Sequence, residues 1–430
     1  MIDIQLLRQD PQAVADSLAR RGFVLDLPLL ARLDAERRTA QVELDALAQA
    51  RNEAARAQAR PAPGADISGA KELRSAARER LDLAETALRA FLMELPNMPA
   101  PEVPDGVDAR GNRVISQSRD PSDLGFPARA HDELGALHDG LDFEQAARLS
   151  GARFAVAFGP VARLHRALVQ FMLDLAVDEH GYREVQTPYL VRAEALEGTG
   201  QLPKFKDDLF EIPRDGLYLI PTAEVPVTNL LAGMRLTAAD MPVAFVAHTP
   251  CFRREAGSAG RDVKGLIRQH QFEKVELVRA CDPDVAPQEF ETLLRHAQET
   301  LDRLEAPWRA VELCTGDLGF SARRTVDLEV WVPSQKAWRE ISSVSDFGDF
   351  QARRMGAKFV DAQGRRRPLN TLNGSALAAG RALVAVMENH QRPDGSIGIP
   401  AALRPYMRGI DAIELPPSAR ARTAPPGPSR

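Results

Sequence analysis

The sequence predicts an α+β protein: an antiparallel-sheet domain preceded by an arm of two α-helices folded back as an antiparallel coiled coil. Two observations carry this. Apolar residues recur at heptad spacing in two blocks, one through Leu30, Leu33, Ala40, Leu44 and Leu47, the other through Ala70, Leu73, Ala77, Leu81 and Leu88. That spacing lines one face of a helix with a seam. Pro61, Pro63 and Gly64 break the pattern between the blocks, and Pro96 and Pro99 end it. Downstream, strand-like runs recur at residues 218–220, 244–248, 272–278, 309–313, 325–332 and 340–344. Several are near enough in sequence to pair antiparallel.

Taken in order, residues 2–20 read as a short helix with Ile4, Leu7, Val14 and Leu18 on one side. The coiled coil occupies about residues 29–95 of an N-terminal domain over 1–99. Each helix has about 30 residues, so the arm reaches roughly 45 Å at ~1.5 Å per residue. Its distal part, residues 50–80, carries seven basic residues against four acidic ones. Arg51, Arg56, Arg60, Lys71, Arg74 and Arg78 are the candidates for contact with a phosphate backbone, although a solvated coiled-coil surface has the same composition. Residues 100–125, rich in Pro, Gly and Asp, read as a linker, and 126–415 as the sheet domain. There an amphipathic helix over 161–179 precedes a strand at 182–191 that Pro188 interrupts, as tolerated at an edge or bulge. The last helix is expected to start after Gly374 and run through Arg381 to Glu388. The Pro-, Arg- and Ala-rich residues 416–430 are expected to be disordered.

A chain of 430 residues exceeds one ordinary core. The net charge of −5 provides no general attraction to nucleic acid, which leaves local patches. Cys251, Cys281 and Cys314 are odd in number and far apart, which suits a reducing compartment and lacks the spacing of a zinc site. No apolar leader or membrane-spanning stretch is present, so a cytoplasmic protein that avoids the membrane is expected.

Residues 249–276 carry the densest chemistry. An apolar run before Thr249 suits a buried strand. Phe252 is followed by Arg253, Arg254 and Glu255, then by a basic Gly-rich loop with Gly257, Gly260, Arg261, Lys264 and Gly265. The chain returns so that Arg268, His270, Phe272, Lys274 and Glu276 would share one strand face. Arg pairs with phosphate or carboxylate, Phe stacks on a flat ring, and Glu accepts from amines, so this face could hold an anionic planar ligand. Taken alone, an ion pair of Arg253 with Glu255 or a core role for Phe272 would be as ordinary.

Other stretches remove that ambiguity: Thr222-Ala223-Glu224, Pro250-Cys251-Phe252-Arg253-Arg254-Glu255, His270-Gln271-Phe272-Glu273-Lys274-Val275-Glu276, Glu340-Ile341-Ser342-Ser343, Asp349-Phe350-Gln351-Ala352-Arg353-Arg354 and Thr371-Leu372-Asn373-Gly374-Ser375. With these the chain resembles the class II aminoacyl-tRNA synthetases, and in detail the bacterial-type seryl-tRNA synthetases, from its first residues to about Met407. The resemblance implies an antiparallel-sheet class II catalytic domain, a homodimer, and charging of tRNA(Ser), and of tRNA(Sec), with L-serine at the expense of ATP. It implies that Arg253 and Arg381 are catalytic. It implies ATP binding by Arg253, Arg254, Glu255, Arg268, Gln269, Phe272, Glu340, Ile341, Ser342, Ser343 and Arg381. It implies serine binding by Thr222, Ala223, Glu224, Arg253, Glu276 and Ser375, and Mg2+ contacts from Glu340 and Ser343, with Glu329 a weaker candidate and no zinc. The arm would grip the tRNA by shape and backbone. The chain departs from the family at Val344-Ser345-Asp346, where a Cys and an Asn are usual. Two competing readings are a paralogue that loads a carrier protein, which would lack the arm, and an inactive tRNA-binding protein, which would have lost Arg253, Glu276, Glu340 or Arg381.

Overall fold

A computed structural model describes residues 1–57, 67–121, 123–256 and 265–417. Arg60, the loop residues Gly257, Gly260, Arg261 and Lys264, and the tail from Ser418 lie outside these. The chain divides into two units, Met1–Met98 and Pro99–Arg430.

In the first unit, the expected single helix over 2–20 is two: α1 (Ile4–Gln9) and α2 (Pro11–Ala19). Asp10 closes α1 and its carboxylate accepts from the Ala13 backbone N–H at 2.9 Å, capping α2. Pro11 has no N–H to continue α1 but suits the first turn of α2. The two long helices are α3 (Leu27–Ala57) and α4 (Ile67–Met93). Leu30, Leu33 and Ala40 on α3 and Ala77, Leu81 and Leu88 on α4 are buried, and Arg80 of α4 pairs with Glu43 of α3. Leu73, placed in the seam by spacing, is 60% exposed. Arg51 and Arg56 lie on α3, and Lys71, Arg74 and Arg78 on α4. Arg51, Lys71, Arg74 and Arg78 are exposed, and Arg78 pairs with Asp82 one turn on.

The second unit is built on an eight-stranded sheet among the described residues. Its strands are β1 (Arg113–Gln117), β2 (Arg183–Glu184), β3 (Val243–Phe252), β4 (Gln271–Cys281), β5 (Trp308–Glu312), β6 (Arg324–Val332), β7 (Ala337–Gly348) and β8 (Asn370–Ala378). They lie in the order β1-β5-β6-β7-β8-β4-β3-β2. All neighbours are antiparallel except β2 and β3. β1 arises inside the segment that composition assigns to a linker and pairs Arg113 with Glu312 in the ladder. The run around Pro188 also resolves differently: β2 and a short strand at Leu190–Arg192 belong to separate sheets. The proline stands between two sheets because it cannot donate to a ladder.

The helices that cover one face are α5 (Gly159–Asp174), α8 (Ala286–Arg303) and α10 (Ala379–Asn389); α6 (Ala193–Thr199), α7 (Glu224–Asn229) and α9 (Phe350–Met355) are short. On α8, Phe290, Leu293, Leu294, Ala297 and Leu301 follow helical spacing and are buried. They join Leu164, Leu168 and Met172 of α5 and Leu383 and Met387 of α10 in one core, where each Leu, Met or Phe contributes roughly 1.5–3 kcal/mol by burial. Val275 and Leu277 of β4 point into that core. By strand alternation their neighbours Lys274 and Glu276 must face the other way, and there the sheet leaves a cavity. The chain reaches α10 later than expected: Asn373-Gly374-Ser375 is not a helix lead but the middle of β8, buried between β4 and β7. Among the described residues, no helix is long and apolar enough to cross a membrane.

Candidate active site

The cavity encloses about 350 Å³ over the open face of β4, β6, β7 and β8. From β4 come Phe272, Lys274 and Glu276, spaced by two and sharing one face as expected. Arg268 and His270 precede the strand. Arg268 still lines the cavity, but His270 turns to the Arg253 carbonyl, 3.0 Å away, and packs near Phe154 and Phe210.

At the ring end, the Arg253 guanidinium lies 5.2 Å from the Phe272 ring centroid, and its Nε donates to the Pro221 carbonyl at 3.1 Å. Glu255 pairs with Arg268, not with Arg253. Glu255 sits at φ +55°, a left-handed conformation that costs a non-glycine residue about 1 kcal/mol and is common at functional turns. Arg381 at the start of α10 donates to the Ile267 carbonyl (3.2 Å) and the Glu340 carbonyl (2.7 Å), with the Glu340 carboxylate at 3.3 Å. Gln269, Ile341, Ser342 and Ser343 complete this wall, and Ser342 Oγ donates to the Ser375 carbonyl at 2.6 Å.

At the opposite end two acids are buried together. Thr222 Oγ1 donates to Glu276 Oε2 at 3.4 Å and accepts from the Glu224 N–H at 3.2 Å. Lys274 forms an ion pair with Glu276. Burial, then the neighbouring Glu276 charge, pushes the Glu224 carboxyl up to about 7. Burial also raises the Glu276 carboxyl, against the opposing pull of Lys274 and Arg253. Lys274 and Arg253 oppose this rise at both acids.

The chain matches the tRNA synthetase class II core domain (G, H, P, S and T) over residues 207–390 and the seryl-tRNA synthetase N-terminal domain over residues 1–99. It is 51% identical over 427 residues to the serine–tRNA ligase of Pseudomonas fluorescens (strain Pf0-1), covering 96% of this chain and 100% of that protein. The chain belongs to the seryl-tRNA synthetase family. The serine–tRNA ligase of Azotobacter vinelandii (strain DJ) is likewise 51% identical, with the same coverage. Among solved structures, the seryl-tRNA synthetase of Pyrococcus horikoshii complexed with ATP superposes with a TM-score of 0.87 at 33% identity, over 97% of this chain and 100% of that one. The cytoplasmic serine–tRNA ligase of Naegleria fowleri in complex with AMP gives 0.85 at 25% identity, over 96% and 99%.

Within this seryl-tRNA synthetase fold, most residues singled out from sequence line one cavity. Three do not. Arg254 is exposed, with its guanidinium 5.6 Å from the Phe210 ring centroid. Ala223 is buried behind the wall. Glu329 pairs instead with Arg309, its cross-strand partner on β5. Asp327, two residues earlier, lines the cavity in its place. Sequence reasoning also missed Lys274 as a site residue, Asn373, Thr325 and Ser345, all in the lining. Ser345 falls within the departure from the family pattern, and its hydroxyl lies 2.9 Å from Thr325 Oγ1. Alternation with Phe272 and Glu276 was the available signal for Lys274. Asp327 gave none, since Asp327 and Glu329 share one face of β6 and only the cross-strand pairing of Glu329 with Arg309 separates them.

The oxygen donors at the ring end fit Mg2+. Asp327 stands opposite Ser343 in the β6–β7 register. Its Oδ1 is buried with no hydrogen-bond partner, and burial and the Glu340 charge hold its carboxyl well above the usual range. Hard oxygens beside phosphate are what Mg2+ takes. Among the described residues, no three His, Cys, Asp or Glu side chains converge on one point, so such a cation would depend on phosphate and water for the rest of its shell.

Proposed function

We propose that this protein is a serine–tRNA ligase that acts as a homodimer in the cytoplasm. It activates L-serine with ATP and transfers the seryl group to the 3′-terminal adenosine of tRNA(Ser), and of tRNA(Sec). One observation carries the reading: Arg253 lies over the Phe272 ring and its charge also acts on both buried acids, so one guanidinium serves both ends of the cavity.

In the first step a serine carboxylate oxygen attacks the α-phosphorus of ATP, the bond to the bridging oxygen breaks, and pyrophosphate leaves. The nucleophile is already an anion, so no general base is needed and catalysis is positioning and electrostatics. Arg253 steadies the charge that grows on the α-phosphoryl oxygens. Phe272 stacks on the adenine, Glu255 accepts from its amino group, and Arg268 and Arg381 hold the outer phosphates. Glu340 and Ser343 would hold a Mg2+ that neutralises those phosphates. Thr222, Glu224, Glu276 and Ser375 surround the serine ammonium and hydroxyl. Alanine would leave a buried acceptor unpaired there, the kind of loss that rejects an analogue. In the second step a ribose hydroxyl attacks the acyl carbon and AMP leaves. The helical arm grips the tRNA through its exposed basic residues.

Amino-acid-dependent ATP–pyrophosphate exchange across the twenty amino acids tests this. Exchange with serine is expected; exchange with glycine or alanine but not serine would overturn the reading.

A further inference from the structure

Gln351 on α9 is 1% exposed and carries no charge. It lies behind the cavity wall, and both ends of its amide are engaged. Thr371 Oγ1 of β8 donates to Gln351 Oε1 at 2.8 Å. Gln351 Nε2 donates to Glu224 Oε1 at 2.7 Å and to the Thr199 carbonyl at 3.2 Å. The Thr199 carbonyl can only accept, as does Glu224 when ionised, so the nitrogen faces them and this fixes the orientation of the amide. The result is a relay of three buried side chains from the central sheet to a wall of the cavity.

We propose that Gln351 is a positioning residue for the amino-acid end of the site: its amide, aligned by Thr371, fixes one oxygen of Glu224 and leaves the other to receive the substrate. This rests on the serine-ligase reading above. The electrostatics agree with the geometry. Glu224 is faced by Glu276 and Lys274 from β4 and by Arg253 at the end of β3. Arg354 of α9 donates to the carbonyls of Glu197 and Leu202 beside α6. Against burial and Glu276, the Gln351 hydrogen bond favours the ionised carboxylate. Without it, Glu224 holds its proton to higher pH and accepts less well from an ammonium or hydroxyl.

The test is serine-dependent ATP–pyrophosphate exchange by the full-length wild type and Gln351→Met, from about pH 5.5 to 9. Losing a hydrogen bond to a charged group should raise the KM for serine roughly 10- to 100-fold. The KM for ATP should hold, and the acid limb of kcat/KM for serine should move to higher pH. An unchanged serine KM with an unmoved limb overturns the proposal. So does a joint rise of both KM values with the limb in place, the mark of a merely structural role. Should Gln351→Met fail to fold, Gln351→Glu keeps the volume and the acceptor for Thr371 but replaces the donor. Its acid limb should then move further toward alkaline pH, and a limb that stays put overturns the idea. Wild type without any serine-dependent exchange would sink the functional reading itself, and the positioning role with it.

Discussion

Lys274 and Glu276 form an ion pair two residues apart on β4, inside the cavity and nearly out of water, at 9% and 1% exposure. Breaking a buried pair by removing one partner costs about 3–5 kcal/mol when the other stays charged. Lys274→Met should therefore lower stability and raise the serine KM. Glu276 already titrates above its ordinary value, and loss of Lys274 raises it further. A raised carboxyl contributes stability at low pH that is lost as pH rises through its folded value. The deficit should be small in acid and grow toward neutral pH, as thermal denaturation at several pH values will show. A deficit of constant size would contradict the pairing.

The raised Glu224 carboxyl, at about 7, predicts that kcat/KM for serine climbs through neutral pH and levels off above it. Glu224→Gln should lower the value and flatten the climb. A wild-type profile flat from about pH 6 to 8 would show that Glu224 ionisation does not limit serine capture.

Much of this site is legible in the sequence. Phe272 and Glu276 alternate on one strand, and Thr222, Glu224, Glu340, Ile341, Ser342 and Ser343 line the same cavity, with Ala223 outside it. What stayed hidden depends on tertiary register. Cross-strand pairing with Arg309 takes up Glu329 and leaves Asp327 in the cavity, and Gln351 becomes meaningful only where α9 meets β8 and Glu224. The fold misleads in the same way: β1 carries few strand signals of its own, and exists because β5 offers an edge to pair with.

The arm should matter for the second step alone. Deleting residues 51–80 is expected to leave pyrophosphate exchange near wild type and to abolish serylation of tRNA. Charging that survives would remove Arg51, Lys71, Arg74 and Arg78 from any tRNA-binding role.

Chelation by EDTA should stop exchange, and added Mg2+ should restore it. Glu340→Gln and Asp327→Asn should each raise the Mg2+ concentration for half-maximal exchange roughly 10-fold, about 1.4 kcal/mol. A variant that keeps the wild-type Mg2+ requirement would exclude that residue from the cation's surroundings.

Far from the cavity, His180 and His296 stack with centroids 4.0 Å apart and planes within 6°. Burial, then the His180 charge, pushes His296 down to about 3. A depressed histidine contributes stability above its unfolded value that is lost as pH falls toward its folded one. His296→Phe should therefore flatten the decline of Tm between about pH 6.5 and 3. A decline as steep as wild type would rule out His296 as its source.

Phe272 and Glu276 stand four residues apart on one extended strand, so about 13 Å of backbone sets the interval between them. That strand is hydrogen-bonded on both sides, to β3 and β8, and cannot stretch. On the proposed roles of Phe272 and Glu276, the strand sets the interval between adenine and serine. A one-residue insertion between Phe272 and Glu276 would put the two side chains on opposite faces of the sheet.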